Sequence, residues 1–261
     1  MELTIYQVDA FADEVFQGNP AAVVPLESWL DDALMQQIAM ENNLSETAFF
    51  VPEGDGYRLR WFTPNKEVNL CGHATVASAH VLFAHLGVEQ PEIRFQSRSG
   101  LLTVRRDGNR YTLNFPTDEL TRIHGALTIA EGLGDHPVEV CKGREDWLAV
   151  FETQEQIANL KPDFRKIAEI AGRGVLATAP GNEVDFVSRC FFPNYGVDED
   201  PVTGSAHTTL IPYWAERLGK NELTARQISQ RGGTLTCKLL GERVEIGGGA
   251  VTYLIGKIFL H

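Results

Sequence analysis

The pattern of apolar and polar positions in the first half of the chain predicts strands followed by one buried helix. Strands are predicted at 3–10, 21–24, 47–51 and 57–62. A helix capped by Asp31 or Asp32 is predicted to reach Asn42, with Leu34 and Ile38 on one face. Residues 72–86 are apolar almost all round, which is typical of a helix surrounded by protein. Further strands are predicted at 92–97, 100–106 and 110–115.

The second half repeats this order of elements. Its predicted strands are 138–140, 147–152, 175–178, 185–192, 234–240 and 242–246. Helices are predicted at 163–171 and, as the second central helix, at 204–218, where Pro212 is expected to cause a kink.

An internal duplication underlies the repeated order. Cys71-Gly72-His73-Ala74 returns as Thr203-Gly204-Ser205-Ala206 with an offset of 132. Arg60-x-Phe62-x-Pro64-Asn65 returns as Arg189-x-Phe191-x-Pro193-Asn194 with an offset of 129. Residues 98–110 and 231–243 also match, with an offset of 133. A near-constant offset of about half the chain length predicts two homologous halves.

The predicted fold is α+β, with two pseudo-symmetric domains that each wrap a curved β-sheet around a central helix. The predicted domains are 1–117, with central helix 72–86, and 118–261, with central helix 204–218. Residues 116–118 are predicted to be the linker between them.

Composition narrows the classes of function. The formal net charge is 23 − 35 = −12, and no basic cluster is long enough to follow a phosphate backbone, so nucleic acid is not an expected partner. Neither a signal peptide nor a membrane-spanning run is predicted. The four cysteines lack a CxxC spacing, which fits reduced thiols in the cytoplasm.

The repeated glycines mark where each central helix begins. The first amides of a helix lack intrahelical acceptors and carry partial positive charge, and Gly72 and Gly204 would let a ligand come close to them. Two such ends facing one cavity between the halves would suit a carboxylate or a developing enolate. The alternative is that both glycines only permit tight packing.

Four segments together resemble the phenazine-biosynthesis PhzF-like proteins. They are Gly18-Asn19-Pro20-Ala21-Ala22-Val23, Asn43-Leu44-Ser45-Glu46-Thr47-Ala48-Phe49, Cys71-Gly72-His73-Ala74-Thr75 and Asp200-Pro201-Val202-Thr203-Gly204-Ser205-Ala206. The resemblance runs the whole length in the same order. It implies a fold like that of diaminopimelate epimerase, in agreement with the repeat.

The resemblance also implies the activity and the site. The best-understood relative isomerises trans-2,3-dihydro-3-hydroxyanthranilate without a cofactor. Matched by motif, Glu46 would be the base and proton shuttle, and His73, Asp200 and Ser205 would act as acids, bases or substrate contacts. The substrate-binding positions would be Gly72, Gly204, Ala74 and Ala206. The implied partners are a small anionic metabolite and a second copy in a homodimer, with no metal or other cofactor.

Other interpretations of the same residues stay open. Glu46 can be a solvated loop acid, His73 can bond a neighbouring carbonyl, and Ser205 can be an N-cap. Asp200 lies in an acidic loop, although that loop is longer than its counterpart: Asn194 to Gly204 spans 10 positions and Asn65 to Gly72 spans 7.

Two further hypotheses compete with the isomerase: a one-carboxylate epimerase or racemase of an amino or hydroxy acid, and a non-catalytic protein that binds small acids. The related epimerases use one thiol from each half. Here Thr203 stands opposite Cys71 in the repeat, so two-thiol chemistry is disfavoured. Cys71 is interpreted as a small packed residue rather than a nucleophile.

Two superficial motifs are rejected. Residues 172–177 match the dinucleotide fingerprint GxGxxA, but they follow a predicted helix and precede a strand, the reverse of the required order. His80 and His85 are five apart and do not share a helix face, so no zinc site is predicted there.

Overall fold

The chain divides into two units. A computed structural model describes residues 1–125 and 127–260. Unit 1 comprises Met1–Asn114 together with the C-terminal stretch from Gly247, and unit 2 is Phe115–Ile246. Among the described residues, no helix has the length and apolar character needed to cross a membrane.

Unit 1 contains strands β1 to β7, most of β8, the larger part of β17, and two helices. The strands are β1 (Glu2–Ala10), β2 (Asn19–Pro25), β3 (Glu46–Glu53), β4 (Gly56–Phe62), β5 (Glu67–Val68), β6 (Glu92–Ser97), β7 (Gly100–Asp107), β8 (Arg110–Pro116) and β17 (Arg243–Phe259). The helices are α1 (Asp32–Asn42) and α2 (Gly72–Ala84).

Unit 2 contains the remaining strands and helices. The strands are β9 (Thr121–Arg122), β10 (Glu139–Lys142), β11 (Trp147–Val150), β12 (Val175–Pro180), β13 (Phe186–Phe192), β14 (Val197–Asp200), β15 (Glu222–Gln227) and β16 (Gly233–Leu240). The helices are α3 (Leu127–Leu133), α4 (Gln154–Asn159), α5 (Phe164–Ala168) and α6 (His207–Leu218).

The duplication is visible in the strand pairing of each unit. In unit 1, β2 pairs parallel with β3, β3 antiparallel with β4, β4 parallel with β6, and β6 antiparallel with β7. In unit 2, β11, β12, β13, β15 and β16 pair in the same sequence of parallel, antiparallel, parallel and antiparallel contacts. The predicted α+β architecture, a sheet with a central helix in each half, is confirmed.

The repeated Arg-x-Phe segments have the same structural role in both units. Arg60 lies over the ring of Phe62 at 5.2 Å and makes a two-pronged ion pair with Glu67. Arg189 lies over Phe191, also at 5.2 Å, and makes a two-pronged ion pair with Glu199. Sequence similarity at these positions therefore reflects packing within each unit.

The two central helices begin differently. Helix α2 is buried at every position from Gly72 to Phe83, as the unbroken apolar pattern predicts. Helix α6 begins at His207 rather than at the predicted Gly204, because residues 204–206 form a turn that precedes it. The start of the second helix is therefore corrected by three residues.

Pro212 is accommodated inside α6 by a contact with the predicted linker. A proline has no N–H, so it leaves the carbonyl four residues earlier without its helical donor. That carbonyl, of Thr208, accepts the N–H of Asp118 at 3.1 Å. The Asp118 carboxylate also accepts the Arg144 N–H. Asp118 is thus bonded into unit 2.

The C-terminal boundary differs from the predicted one. Residues 247–261 fall in the predicted second domain, but the structure groups this stretch with unit 1. The reason is that β17 does not end at 246: it continues to Phe259 and pairs antiparallel with β1 from Ala10 to Glu2. Helices α3 and α4 are also absent from the sequence-based prediction, and α5 is shorter than the predicted 163–171.

Candidate active site

The end of α1 determines where Glu46 is placed. Asn43 has a left-handed backbone, with φ of 50°, and its N–H bonds the Ala39 carbonyl. This conformation stops the helix and turns the chain. Glu46 then opens β3 opposite Ala21 of the neighbouring parallel strand. Glu46 is therefore the first residue of an ordered strand, and its interpretation as a solvated loop acid is wrong.

Glu46 and His73 form a largely buried pair in unit 1. Their Oε2 and Nε2 atoms lie 3.1 Å apart, and the two side chains are 17% and 6% exposed, respectively. The alignment is nevertheless poor: neither atom has a well-formed hydrogen bond to a described residue. Buried polar atoms without such partners are uncommon and call for an explanation. One explanation is that they engage a ligand.

Cys71 lies on the other side of the same imidazole. Its Sγ is 3.6 Å from His73 Nδ1, and the thiol is buried. Cys71 occupies the N-cap position of α2 but makes no side-chain capping bond. His73 therefore contacts a thiol on one ring nitrogen and a carboxylate on the other, and the predicted alternative, a bond to a neighbouring carbonyl, is not what the structure shows.

The charges in this cluster are strongly coupled. Burial by itself lowers the pKa of His73, but the adjacent Cys71 and Glu46 groups outweigh it and hold the pKa well above its ordinary value. Burial, reinforced by Glu46, raises the pKa of the Cys71 thiol to about 11. At neutral pH the thiol is therefore protonated, and the imidazole lies between this neutral thiol and the Glu46 carboxyl group.

The same cluster sits at the N-terminus of α2. His73 is the second residue of the helix, and Gly72 and Ala74 flank it, both buried. The free amides of a first helical turn favour negative charge. The start of α2 therefore favours a negatively charged group beside His73.

In unit 2, a buried glutamine holds Asp200 and Thr203 together. Asp200, at the end of β14, is 8% exposed and accepts a bond from the Thr203 hydroxyl. Gln227 accepts the Thr203 N–H at 2.9 Å and donates to the Asp200 carbonyl at 2.7 Å. The predicted acidic loop is therefore strand β14, Gln227 fixes the segment that follows it, and the Asp200 side chain is largely shielded from water.

Ser205 lies in the turn before α6 and is half-buried. The N-cap of α6 is Ala206, which makes no side-chain capping bond, so the interpretation of Ser205 as an N-cap is wrong. Its hydroxyl instead accepts a bond from Arg173 Nη1 at 2.9 Å. Gly204 and Ala206 beside it are buried.

A family comparison accounts for these segments. The family model described as phenazine biosynthesis-like protein, PhzC-PhzF, matches residues 8–256. The chain belongs to this PhzF-like family.

Individual relatives of this PhzF-like chain agree in sequence and fold. An uncharacterized isomerase of Pseudomonas aeruginosa is 54% identical over 260 residues and covers 100% of both chains. The crystal structure of a PhzF family phenazine biosynthesis protein from Enterococcus faecalis is 49% identical, covers 100% of both chains and has a TM-score of 0.97. A predicted epimerase of Pseudomonas aeruginosa, 22% identical, covers 99% of this chain and 100% of its own, with a TM-score of 0.78. That last likeness concerns the fold.

The unit 1 cluster of this PhzF-like chain also has the composition of a metal site. Glu46, Cys71 and His73 offer atoms that lie within 4.8 Å of one another. The carboxylate contacts Nε2 and the thiol contacts Nδ1, so the two groups face different ring nitrogens. An ion bound by all three residues would require the thiol to lose its proton. The absence of a metal cofactor stays a prediction.

Two residues that shape the unit 2 cluster are missing from the sequence-based site. Gln227 follows Leu223 and Ala225 on the buried face of β15. The sequence signal for it is therefore a polar amide side chain at a position where the strand's alternating pattern predicts an apolar one. Arg173 lies in a Gly-Arg-Gly segment whose one sequence signal is the rejected nucleotide motif, and no local pattern indicates its contact with Ser205.

Proposed function

We propose that this protein is an isomerase that moves a proton on a small carboxylate-bearing substrate, with Glu46 as the base. The observation that supports this most directly is the shielded Glu46–His73 pair, whose facing Oε2 and Nε2 atoms lack aligned hydrogen bonds. Membership of a family whose Pseudomonas aeruginosa relative is named an isomerase supports the reaction class.

The proposed reaction is a proton transfer along an allylic system. The Glu46 carboxylate takes a proton from a saturated carbon, and the electrons of that C–H bond form a new double bond as the old one shifts. The hydrogen of the protonated carboxyl exchanges with solvent, and the same carboxyl then delivers a proton to the carbon at the far end. No net proton is gained or lost, and the mechanism requires no cofactor.

His73 has two tasks in this scheme. Its charge stabilises the Glu46 carboxylate before the transfer, and it can donate to a substrate oxygen or nitrogen as negative charge develops. Amides at the start of α2 would add to that stabilisation. In the proposal, Asp200 and Ser205 contribute further acid–base groups or substrate contacts, and the substrate meets the backbone at Gly72, Ala74, Gly204 and Ala206.

The experiment measures deuterium uptake from heavy water into trans-2,3-dihydro-3-hydroxyanthranilate by NMR. We expect wild type to incorporate deuterium and to form an isomer, and Glu46→Gln to be about a hundredfold or more slower, as for loss of a general base. Glu53→Gln is the matched control, because Glu53 ends the same strand and forms an ion pair with Arg58 at the surface.

The outcomes separate the hypotheses. Equal rates in wild type and Glu46→Gln would remove Glu46 from the mechanism. Uptake with inversion at one carbon and no shift of the double bond would favour a one-base epimerase. Binding without uptake would favour a small-acid-binding protein. Dialysis against EDTA should leave the rate unchanged, and the implied homodimer is testable by sedimentation.

A further inference from the structure

Arg173 lies between two glycines whose positions exclude a side chain. Gly172 has a left-handed φ of 128°, a conformation that side chains rarely adopt. A Cβ at Gly174 would lie 2.2 Å from the Phe191 carbonyl oxygen and 2.4 Å from a ring carbon of Phe192. Residues 172–174 therefore pack closely against the end of β13. The two glycines, which superficially match a nucleotide-binding motif, instead fix the backbone on either side of Arg173.

The guanidinium is held in one orientation. Its Nε donates to Asp146 Oδ1 at 2.8 Å and its Nη2 donates to Asp146 Oδ2, while Asp146 itself is only 3% exposed. The guanidinium carbon lies 5.0 Å from the centre of the Phe192 ring. Such a two-pronged pair beneath an aromatic ring is the arrangement for which arginine, and not lysine, is suited.

One of the remaining N–H groups is directed at Ser205. Arg173 Nη1 lies 2.9 Å from Ser205 Oγ, and the hydroxyl can only accept this bond, since a guanidinium has no acceptor. Within 1–125 and 127–260 the hydroxyl hydrogen of Ser205 finds no acceptor. The hydroxyl is therefore polarised by a cation and has a proton to donate.

We infer that Arg173 is a positioning residue that presets the Ser205 hydroxyl as a hydrogen-bond donor to a negatively charged oxygen of the substrate. The inference rests on the proposed function, in which Ser205 contacts a carboxylate-bearing substrate. Asp146 fixes Arg173, and Arg173 fixes Ser205 in the turn that leads into α6. The ligand class is an anionic oxygen, a carboxylate or an enolate, because a donor hydroxyl backed by a cation disfavours cations.

Arg189 provides the internal comparison. It also makes a two-pronged ion pair, with Glu199, and also lies over a phenylalanine ring. Its Nη1, however, donates to the backbone carbonyls of Ile157 and Leu160, each at 3.1 Å. Arg189 thus donates to a carboxylate and to backbone carbonyls of the fold, whereas Arg173 donates one N–H to the half-buried hydroxyl of Ser205. Replacing Arg189 removes a similar ion pair and leaves Ser205 unchanged.

The first test uses a thiol as a probe at position 205. In Ser205→Cys, the rate of alkylation by iodoacetamide is measured against pH, and wild type reports any background from the four buried cysteines. A neighbouring guanidinium stabilises the thiolate. We expect the midpoint to rise by at least one pH unit when Arg173→Met is added, and to stay unchanged when Arg189→Met is added.

A midpoint that is the same with and without Arg173 would overturn the inference. If Arg173→Met does not fold, Arg173→Lys replaces it. Lysine keeps the charge but cannot make the two-pronged contact with Asp146. We then expect a midpoint between those of Ser205→Cys alone and of Ser205→Cys without a cation at position 173. This readout needs no substrate, so it stands even if the proposed isomerase activity is not found.

The second test asks whether Arg173 acts through Ser205. Deuterium uptake into trans-2,3-dihydro-3-hydroxyanthranilate is compared in Arg173→Met, Ser205→Ala and the double variant. We expect each single change to lower kcat/KM about tenfold or more, and the double variant to be no slower than the slower single one. Losses that multiply would show that Arg173 acts independently of Ser205. Absence of uptake in wild type would instead contradict the proposed function alone.

Discussion

Glu46 Oε2 and His73 Nε2 are 3.1 Å apart, and they are held there by two separate elements, the first residue of β3 and the second residue of α2. The contact has the distance of an ion pair without the alignment of a hydrogen bond. Such a pair keeps the carboxyl group of Glu46 shielded while leaving it able to reach a third group.

The charge state of His73 gives the first prediction. Burial lowers its pKa, and the Cys71 and Glu46 groups raise it further than burial lowers it, so the pKa lies well above the ordinary value. Glu46→Gln removes the acidic partner of Nε2. We expect the NMR titration midpoint of the His73 ring to fall by at least one pH unit, and Glu53→Gln to leave it unchanged.

The same shift affects stability. A histidine whose pKa is raised in the folded state stabilises it fully below the unfolded pKa of about 6.5, and this contribution disappears as pH rises through the folded pKa. The free energy of unfolding of wild type should therefore decline above about pH 6.5. The decline should be smaller in Glu46→Gln. An equal decline in both proteins would mean that the pair does not hold the imidazolium.

Cys71 gives the second prediction. Because burial and Glu46 raise the pKa of its thiol to about 11, the thiol is neutral at working pH and is not a base. We expect Cys71→Ala to keep deuterium uptake within about tenfold of wild type and to cost about 1–2 kcal/mol of stability through the lost volume. Cys237→Ala, at a buried position in β16, is the size control. A thousandfold loss of uptake would place the thiol in the chemistry.

The sequence predicts well the structural features that depend on a local pattern of residues or on the internal repeat. The unbroken apolar run after Gly72 indicates a surrounded helix, and α2 is buried from Gly72 to Phe83. The repeat predicts two similar halves, and the strand pairings follow the same order in each unit. Both signals depend on neighbouring residues or on comparison of the chain with itself.

The features that it misses depend on long-range contact. Gly247–Gly249 look like a strand end, yet β17 runs through them. A Cβ at Gly248 would lie 2.6 Å from the Phe11 ring, and one at Gly249 would lie 2.4 Å from the Ala12 carbonyl oxygen. These glycines permit close approach to residues distant in sequence, which no local pattern shows. The same is true of Gln227, whose partners are 24 to 27 residues away.

Gln227 gives the third prediction. It is fully buried and binds the Thr203 N–H, the Thr203 hydroxyl and the Asp200 carbonyl. Gln227→Met keeps the size of the side chain but leaves these groups without their partner. We expect a loss of about 2–4 kcal/mol in the free energy of unfolding, measured with urea, because unsatisfied buried polar groups cost about 1–3 kcal/mol each.

Gln36→Met is the control for Gln227→Met. Gln36 is only partly buried and donates one hydrogen bond, to the Thr63 carbonyl at 2.8 Å. Its replacement should cost about 1 kcal/mol. Similar losses at both positions would show that the Gln227 contacts do not fix the turn that carries Asp200.

His207 gives the last prediction, with a pH dependence opposite to that of His73. Burial lowers its pKa to about 4, and the neutral ring binds the Thr203 carbonyl through Nδ1 at 2.8 Å. A histidine with a lowered pKa stabilises the fold fully above the unfolded value of about 6.5, and that contribution is lost as pH falls toward the folded value. His207→Asn keeps a donor for the carbonyl and cannot titrate. We expect it to reduce the loss of unfolding free energy between pH 6.5 and pH 4.5 by about 2 kcal/mol. Equal acid sensitivity in wild type and His207→Asn would mean that the ring is already charged when the protein is folded.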